Sequence, residues 1–338
     1  MEGFARGLPK AELHVHIEGT LEADLLLELA ARHRLALPYR TPADVRAAYR
    51  FTDLASFLDL YYRNLEVLRD EDDFRRLTLA YLARAADDGV RHAEVFFDPQ
   101  SHTARGVPLG AVIEGVWAGM AEGEGLYGLS TRLIMCFLRD RDVGDAERTL
   151  TEALPYRERL AGVGLDSAER GHPPGAFAAV FARARAEGLA AVAHAGEEGP
   201  PAYVREALDE LGVRRIDHGV SAALDPELVE RLRRERVPLT MCPLSNLRLG
   251  VVPRLQEHPL KRLLDEGLVV TVNSDDPAYF GGYLVDNLVA ARDALGLRRR
   301  DLVRLARNSF EAALLDDHER RRLLAELEAY AERRRVAA

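Results

Sequence analysis

Lysine is nearly missing from this chain: Lys10 and Lys261 are the only two, and arginine carries the rest of the positive charge. Cysteine is equally scarce. Cys136 and Cys242 both sit inside apolar runs, which excludes a disulfide framework and reads as buried thiols in a reducing compartment. No uncharged apolar run reaches the length of about 18 residues that a membrane span needs. The N-terminus, MEGFARGLPKAELHVH, lacks the continuous apolar segment of a signal peptide, so the expected location is the cytoplasm. Excess positive charge is absent too: the formal net charge is −9, which argues against a nucleic-acid partner. There is no GxGxxG fingerprint, no GxxxxGK[ST] loop, no low-complexity tract and no short repeat.

What is present is a large apolar complement. Of 338 residues 47% are hydrophobic and 30% charged, enough for a sizeable core and too much for a disordered chain. The length exceeds the usual figure of about 100–200 residues per domain, but single α/β barrels often run past about 250. One domain spanning residues 1–338 is therefore expected.

Eight short apolar, β-branched runs alternate with longer helical patterns. They are Glu12–Glu18, His92–Asp98, Thr131–Arg139, Val163–Glu169, Ala191–Glu197, Arg215–Val220, Pro238–Asn246 and Val269–Pro277. Strand count alone allows either a closed (β/α)8 TIM barrel or a doubly wound open sheet. The polar residues favour the barrel, because His, Glu and Asp recur at the C-terminal ends of several runs, the rim where barrels place their chemistry. Residues 21–89 form an unusually long segment between the first two strands, read as a helical insertion. Within it Phe51, Leu54, Phe57, Leu58 and Tyr61 follow i, i+3, i+4 spacing, one apolar helix face that packs on the barrel, lids its mouth, or does both. Past Gly296 the chain reads as arginine-rich helices with solvated faces.

In the first run His14 and His16 project to the same side of a strand, because side chains alternate with period two. A lone histidine there would more often be structural. The later runs add His194-Ala195-Gly196-Glu197, Asp217-His218-Gly219 and Ser274-Asp275-Asp276-Pro277 on the same rim. Each of these is weak alone, since carboxylates near strand ends often cap the next helix. Together His14, His16, His194 and Asp275 offer three nitrogens and one oxygen, a set suited to Zn2+ with a position left for water. His218 and Glu197 remain for proton handling.

These motifs, HVHIEG, HAGE, DHG and SDDP on the first, fifth, sixth and eighth runs, resemble the adenosine/adenine deaminase branch of the amidohydrolase superfamily. The resemblance extends from about Leu8 to the helices after Asn287. It implies one zinc ion per subunit on His14, His16, His194 and Asp275. Binuclear amidohydrolases commonly bridge two metals through a carbamylated lysine on a central strand, and neither lysine here is placed for that. The resemblance further implies that Glu197 protonates purine N1 and that Asp276 hydrogen-bonds N7. His218 would orient the activated water and take its proton with help from Asp275, after which hydroxide adds to C6 and ammonia leaves.

The fourth run departs from the nucleoside pattern. Adenosine deaminases read DLAG there, whereas this chain reads Asp166-Ser167-Ala168-Glu169, similar to the S-x-E motif of the adenine deaminase subgroup. Free adenine carries an N–H that a nucleoside lacks, so Glu169 is expected to accept it and to reject nucleosides, with Ser167 beside it. The plainer alternative is that Glu169 caps a helix or pairs with Arg170. Glu18 stands where nucleoside enzymes carry a ribose-binding aspartate. The expected activity is thus deamination of adenine to hypoxanthine. Deamination of adenosine, an N6-substituted adenine or aminodeoxyfutalosine stays open, as does a non-catalytic purine-binding relative. The cytidine-deaminase fold is disfavoured, since its C-x-x-C zinc motif is absent. A homodimer is the expectation from general frequency alone.

Overall fold

Each of the eight runs forms a strand in the computed structural model, which describes residues 2–336. The strands are β1 (Lys10–His16), β2 (Val90–Phe97), β3 (Ser130–Leu138), β4 (Gly162–Asp166), β5 (Ala190–Ala195), β6 (Arg215–His218), β7 (Leu239–Met241) and β8 (Val270–Val272). All pair in parallel and in sequence order. β8 returns to β1 through one bridge between Val15 and Asp275. There the His16 N–H donates to the Asp275 carbonyl at 3.0 Å and the Asp275 N–H to the His14 carbonyl at 3.1 Å. The sheet is a closed (β/α)8 barrel, and the open doubly wound alternative falls away.

Several strands end sooner than their sequence patterns. The backbone turns left-handed at Ser167 (φ 70°), His218 (φ 64°) and Asp275 (φ 65°), none of them glycine. Such conformations cost free energy and cluster at functional sites. They end the ladders and swing the motif side chains over the barrel mouth.

After β1 come α1 (Ala23–Arg32), α2 (Pro42–Ala48) and α3 (Leu54–Asn64), then α4 (Glu71–Asp87), which returns the chain to β2. Reciprocal capping boxes start α2 (Thr41 with Asp44), α3 (Asp53 with Ser56) and α4 (Asp70 with Asp73). Residues 21–89 thus hold four helices, but α4 is the ordinary crossover helix of the barrel. It lies along α5 (Leu109–Tyr127), where Gly115, Gly119 and Gly123 recur every fourth residue and let the backbones approach. A Cβ on Gly119 would sit 2.6 Å from the Arg75 carbonyl oxygen and 2.7 Å from Thr78 Cβ.

The arginine-rich C-terminal segment forms α6 (Arg299–Ala312) and α7 (Asp317–Arg333). α6 fastens the seam between β8 and β1. Ser309 Oγ accepts from the Ala11 N–H at 2.9 Å, and Asn308 Nδ2 donates to the Val270 carbonyl at 2.8 Å. Lys10 opens β1 rather than preceding it, at the end opposite the motifs, and its buried ammonium donates to the Ala5, Leu8 and Asp88 carbonyls. Cys136 and Cys242 are buried free thiols, as expected. Among the described residues no helix is long and apolar enough to cross a membrane.

Overpacking a tight helix contact costs about 1–3 kcal/mol. Gly119→Ala is therefore expected to lower unfolding stability by about that amount, read as a lower midpoint in urea without change in slope. An unshifted midpoint would show that α4 and α5 part freely.

Candidate active site

The closing bridge sets the geometry of the site. It places the Asp275 carboxylate against both first-strand histidines: Oδ1 lies 3.1 Å from His14 Nε2 and 3.4 Å from His16 Nε2. His194, from the end of β5, brings its Nε2 to 3.2 Å from that of His16. All four side chains are buried. Ring nitrogens of His14, His194 and His218 and a carboxylate oxygen of Asp275 lie within 4.8 Å of one another, and His16 joins the cluster through the same Asp275 oxygen and through His194, so nitrogen and oxygen donors for a divalent metal gather here.

The far sides of the rings test whether these nitrogens are free to bind a cation. The Thr240 hydroxyl donates to Asp217 Oδ1 at 2.7 Å, so at 3.0 Å from His14 Nδ1 it can only accept. His14 therefore carries its hydrogen on Nδ1 and turns the Nε2 lone pair toward the cluster. Behind His16, Asp166 Oδ2 lies 3.5 Å from Nδ1, and behind His194, Asp217 Oδ2 lies 3.9 Å from Nδ1. Burial pushes the His16 imidazole down to about 4 and, with the neighbouring rings, holds that of His194 well below its usual value. Neutral rings are the ligating form. The residues fit a divalent metal.

His218 approaches from β6, its Nε2 3.5 Å from Glu197 Oε2 and 3.8 Å from Asp275 Oδ2. Its tautomer is fixed by a chain absent from the sequence reading. The Leu260 N–H donates to His258 Nδ1 at 3.2 Å, so His258 carries its hydrogen on Nε2 and gives it to Asn246 Oδ1 at 3.1 Å. Asn246 Nδ2 then faces His218 Nδ1 at 3.3 Å as a donor. Neutral His218 therefore holds its hydrogen on Nε2, directed at Glu197 and Asp275. The expected acceptance of a proton by His218 is not open to the neutral ring in this network; Asp275 Oδ2 is the available acceptor beside it.

Above these side chains lies a small cavity of about 40 Å3, lined by both polar and apolar groups. Leu54, Phe57, Leu58 and Tyr61 of α3 roof it. Phe57 also packs on Phe280 at 4.8 Å between ring centroids, so this helix face serves core and cover together.

Glu197 and Asp276 line the cavity, and burial together with the charge of Asp275 holds both carboxyls well above the usual carboxylate range. Both are thereby kept in the form that can donate a hydrogen. Asp276 lies so close to the first strand's loop that a Cβ on Gly19 would meet its Oδ1 at 2.0 Å, which explains the glycine of HVHIEG. Ser167 lines the cavity with its hydroxyl 3.2 Å from Tyr62 Oη.

Two expected substrate contacts are placed differently. Glu169 does not line the cavity. Its Oε1 accepts the Gly196 N–H at 2.7 Å, and its Oε2 accepts those of Glu197, Glu198 and Gly199 at 2.9, 2.8 and 2.8 Å. Both oxygens are committed to the loop that carries Glu197, so neither is turned to a ligand. Nor does Glu169 pair with Arg170, which instead approaches Glu198 at 3.5 Å. Arg139 assists, donating to the His194 carbonyl at 2.7 Å. Glu18 likewise lies behind the wall, its Oε1 accepting from the Asp98 N–H at 3.0 Å and facing His102 Nε2 at 2.9 Å.

The sequence profile of the adenosine deaminase family matches residues 9–330. The adenine deaminase of Streptomyces coelicolor is 62% identical over 325 residues, 96% of this chain and 96% of that protein. The crystal structure of adenine deaminase from Arthrobacter aurescens superposes with a TM-score of 0.95 at 49% identity, covering 96% of this chain and 99% of that one. An amidohydrolase from Burkholderia ambifaria with bound Zn gives a TM-score of 0.90 at 28% identity, over 98% of this chain and 93% of that one. This chain belongs to the adenosine deaminase family.

Proposed function

We propose that this chain hydrolyses adenine to hypoxanthine and ammonia with one zinc ion held by His14, His16, His194 and Asp275. The observation that carries the reading is the gathering of these four side chains beneath a cavity that also holds the carboxyls of Glu197 and Asp276. Relatives named adenine deaminase at 55–62% identity over nearly the whole chain support the substrate. The Zn-bound Burkholderia structure and the set of three nitrogens and one oxygen support the metal.

Zinc bound here supplies Lewis acidity and hydroxide at neutral pH, since it lowers the pKa of water to about 7. The chain's own residues do the rest. Glu197, protonated in its buried place, gives its hydrogen to ring N1 and makes C6 electrophilic. Asp276 holds a hydrogen toward N7 at the opposite side of the six-membered ring's reacting carbon. His218 Nε2–H points between Glu197 and Asp275 and steadies the attacking oxygen, while Asp275 Oδ2 accepts the proton. α3 excludes bulk water above the base and acts as the lid whose opening admits it. The Glu169 clamp keeps Glu197 in register without touching the base.

Zinc-loaded protein given adenine and adenosine in parallel is expected to turn over adenine, with adenosine at least about a hundredfold poorer, by loss of purine absorbance. The reverse preference would overturn the substrate. Glu197→Gln should lower kcat by about 10²–10⁴-fold with zinc content unchanged, and near-normal turnover would remove its acid role. Glu169→Gln turns an N–H donor toward other N–H groups. It should cost about 1–3 kcal/mol of stability and slow turnover while leaving the adenine-over-adenosine preference intact. A change in that preference would restore a direct contact.

A further inference from the structure

With Glu169 committed to the backbone, the N3 and N9 edge of the base has no partner in the proposed deamination, on which the following inference rests. Topology supplies the missing group. Travelling around a purine from C6, the ring positions met are N7, N9, N3 and N1. Travelling around the barrel mouth from β6, the cavity-lining polar groups outside the proposed metal ligands are His218 after β6, Asp276 after β8, Asp98 after β2, Asp166 and Ser167 at the end of β4 and Glu197 after β5, with Tyr61 and Tyr62 of α3 above them. If Asp276 meets N7 and Glu197 meets N1, the two perimeters agree when Asp98 faces N9 and the end of β4, with Ser167, faces N3.

Asp98 is built to face a ligand. It is 4% exposed and lines the cavity, yet its Oδ1 has no hydrogen-bond partner. Its backbone is fixed on both sides: the N–H donates to Glu18 Oε1 at 3.0 Å, and the carbonyl accepts from Ser101 Oγ at 2.7 Å. Its neighbour Asp166 is close enough to share a side-chain hydrogen bond with it and also lies 3.5 Å from His16 Nδ1. A buried carboxylate oxygen without a donor is costly, and a ligand N–H relieves that cost.

We propose that Asp98 is the specificity-determining residue for the free base, accepting the N9–H of adenine while the Ser167 hydroxyl, held by Tyr62, donates to N3. A nucleoside has carbon on N9 and no hydrogen to give. It would leave Asp98 unpaired and press its sugar against the β2 rim.

The test uses the full-length zinc-loaded chain with adenine and 9-methyladenine, which lacks only the N9–H donor. The wild type should prefer adenine by at least about a hundredfold in kcat/KM. Asp98→Ala should lower kcat/KM for adenine by about 10–100-fold, the cost of leaving the base N–H without an acceptor, without lowering the rate on 9-methyladenine, so the preference collapses. Asp98→Asn, which keeps the shape, should fall between the two and serves if the alanine variant fails to fold. Equal loss on both substrates, or none on either, overturns the assignment while the adenine reading stands. Equal wild-type rates on both substrates overturn it without any variant. If the wild type turns over neither, the adenine reading itself falls and takes the assignment with it. His16, Asp98 and Asp166 offer atoms within 4.8 Å of one another. A second metal ion per chain that disappears in Asp98→Asn would therefore make Asp98 a ligand and also overturn the proposal.

Discussion

Everything at this site hangs on the seam where β8 meets β1. A parallel barrel needs only a backbone bridge to close, and here the bridging residue also sets its carboxylate among the clustered histidines. Asp275 exchanges its N–H and carbonyl with the two histidines that its carboxylate faces. Three side chains are thereby aligned by main-chain hydrogen bonds, which hold position more firmly than side-chain contacts can. The left-handed backbone at Asp275 is the strain this arrangement stores. α6 holds the seam shut from outside through Ser309 and Asn308, so a C-terminal helix far from the chemistry in sequence is part of its support.

Beneath the quartet the barrel interior is ionic rather than purely apolar. Arg215 is fully buried, pairs with Glu94 and Asp217, and donates to the Leu13 carbonyl at 2.9 Å. Such a group is expensive to bury and tolerable only when its partners are complete. Its return here is orientation. Asp217, fixed by Arg215, accepts from Thr240, which in turn fixes the hydrogen on His14. Leu260, His258 and Asn246 do the same for His218 from the opposite side. Two chains of hydrogen bonds thus settle which ring nitrogen is bare, a distinction on which metal binding and proton movement both depend.

The barrel and the quartet were legible because both are written in local patterns: period-two spacing for His14 and His16, and polar residues at the ends of apolar runs for His194, His218 and Asp275. Glu169 was misread for a reason equally physical. Its partners are the N–H groups of residues 196–199, and no side chain there advertises that a loop will fold its backbone around a carboxylate. Asn246, His258 and Arg139 act through hydrogen bonds to other site residues and left no motif to read. Asp98 did leave one. It ends the second run, on the same rim as the other motifs, where an aspartate before a proline is equally suited to capping a helix. The structure shows no such cap from its side chain.

The unpartnered buried oxygens explain what the site is for better than the partnered ones. Glu169 satisfies four backbone donors and is chemically finished. Asp98, Asp166 and Glu197 each keep at least one buried oxygen without a hydrogen bond, and all three line the same cavity. Buried polar atoms are rarely left unpaired in a folded chain. When three of them ring one cavity, the completing partner is a ligand rich in N–H groups and ring nitrogens. A sugar-bearing ligand would meet this ring with fewer N–H groups at the edge beside Asp98. Selectivity for the bare base then follows from which carboxylates the fold leaves unsatisfied, not from how many it gathers.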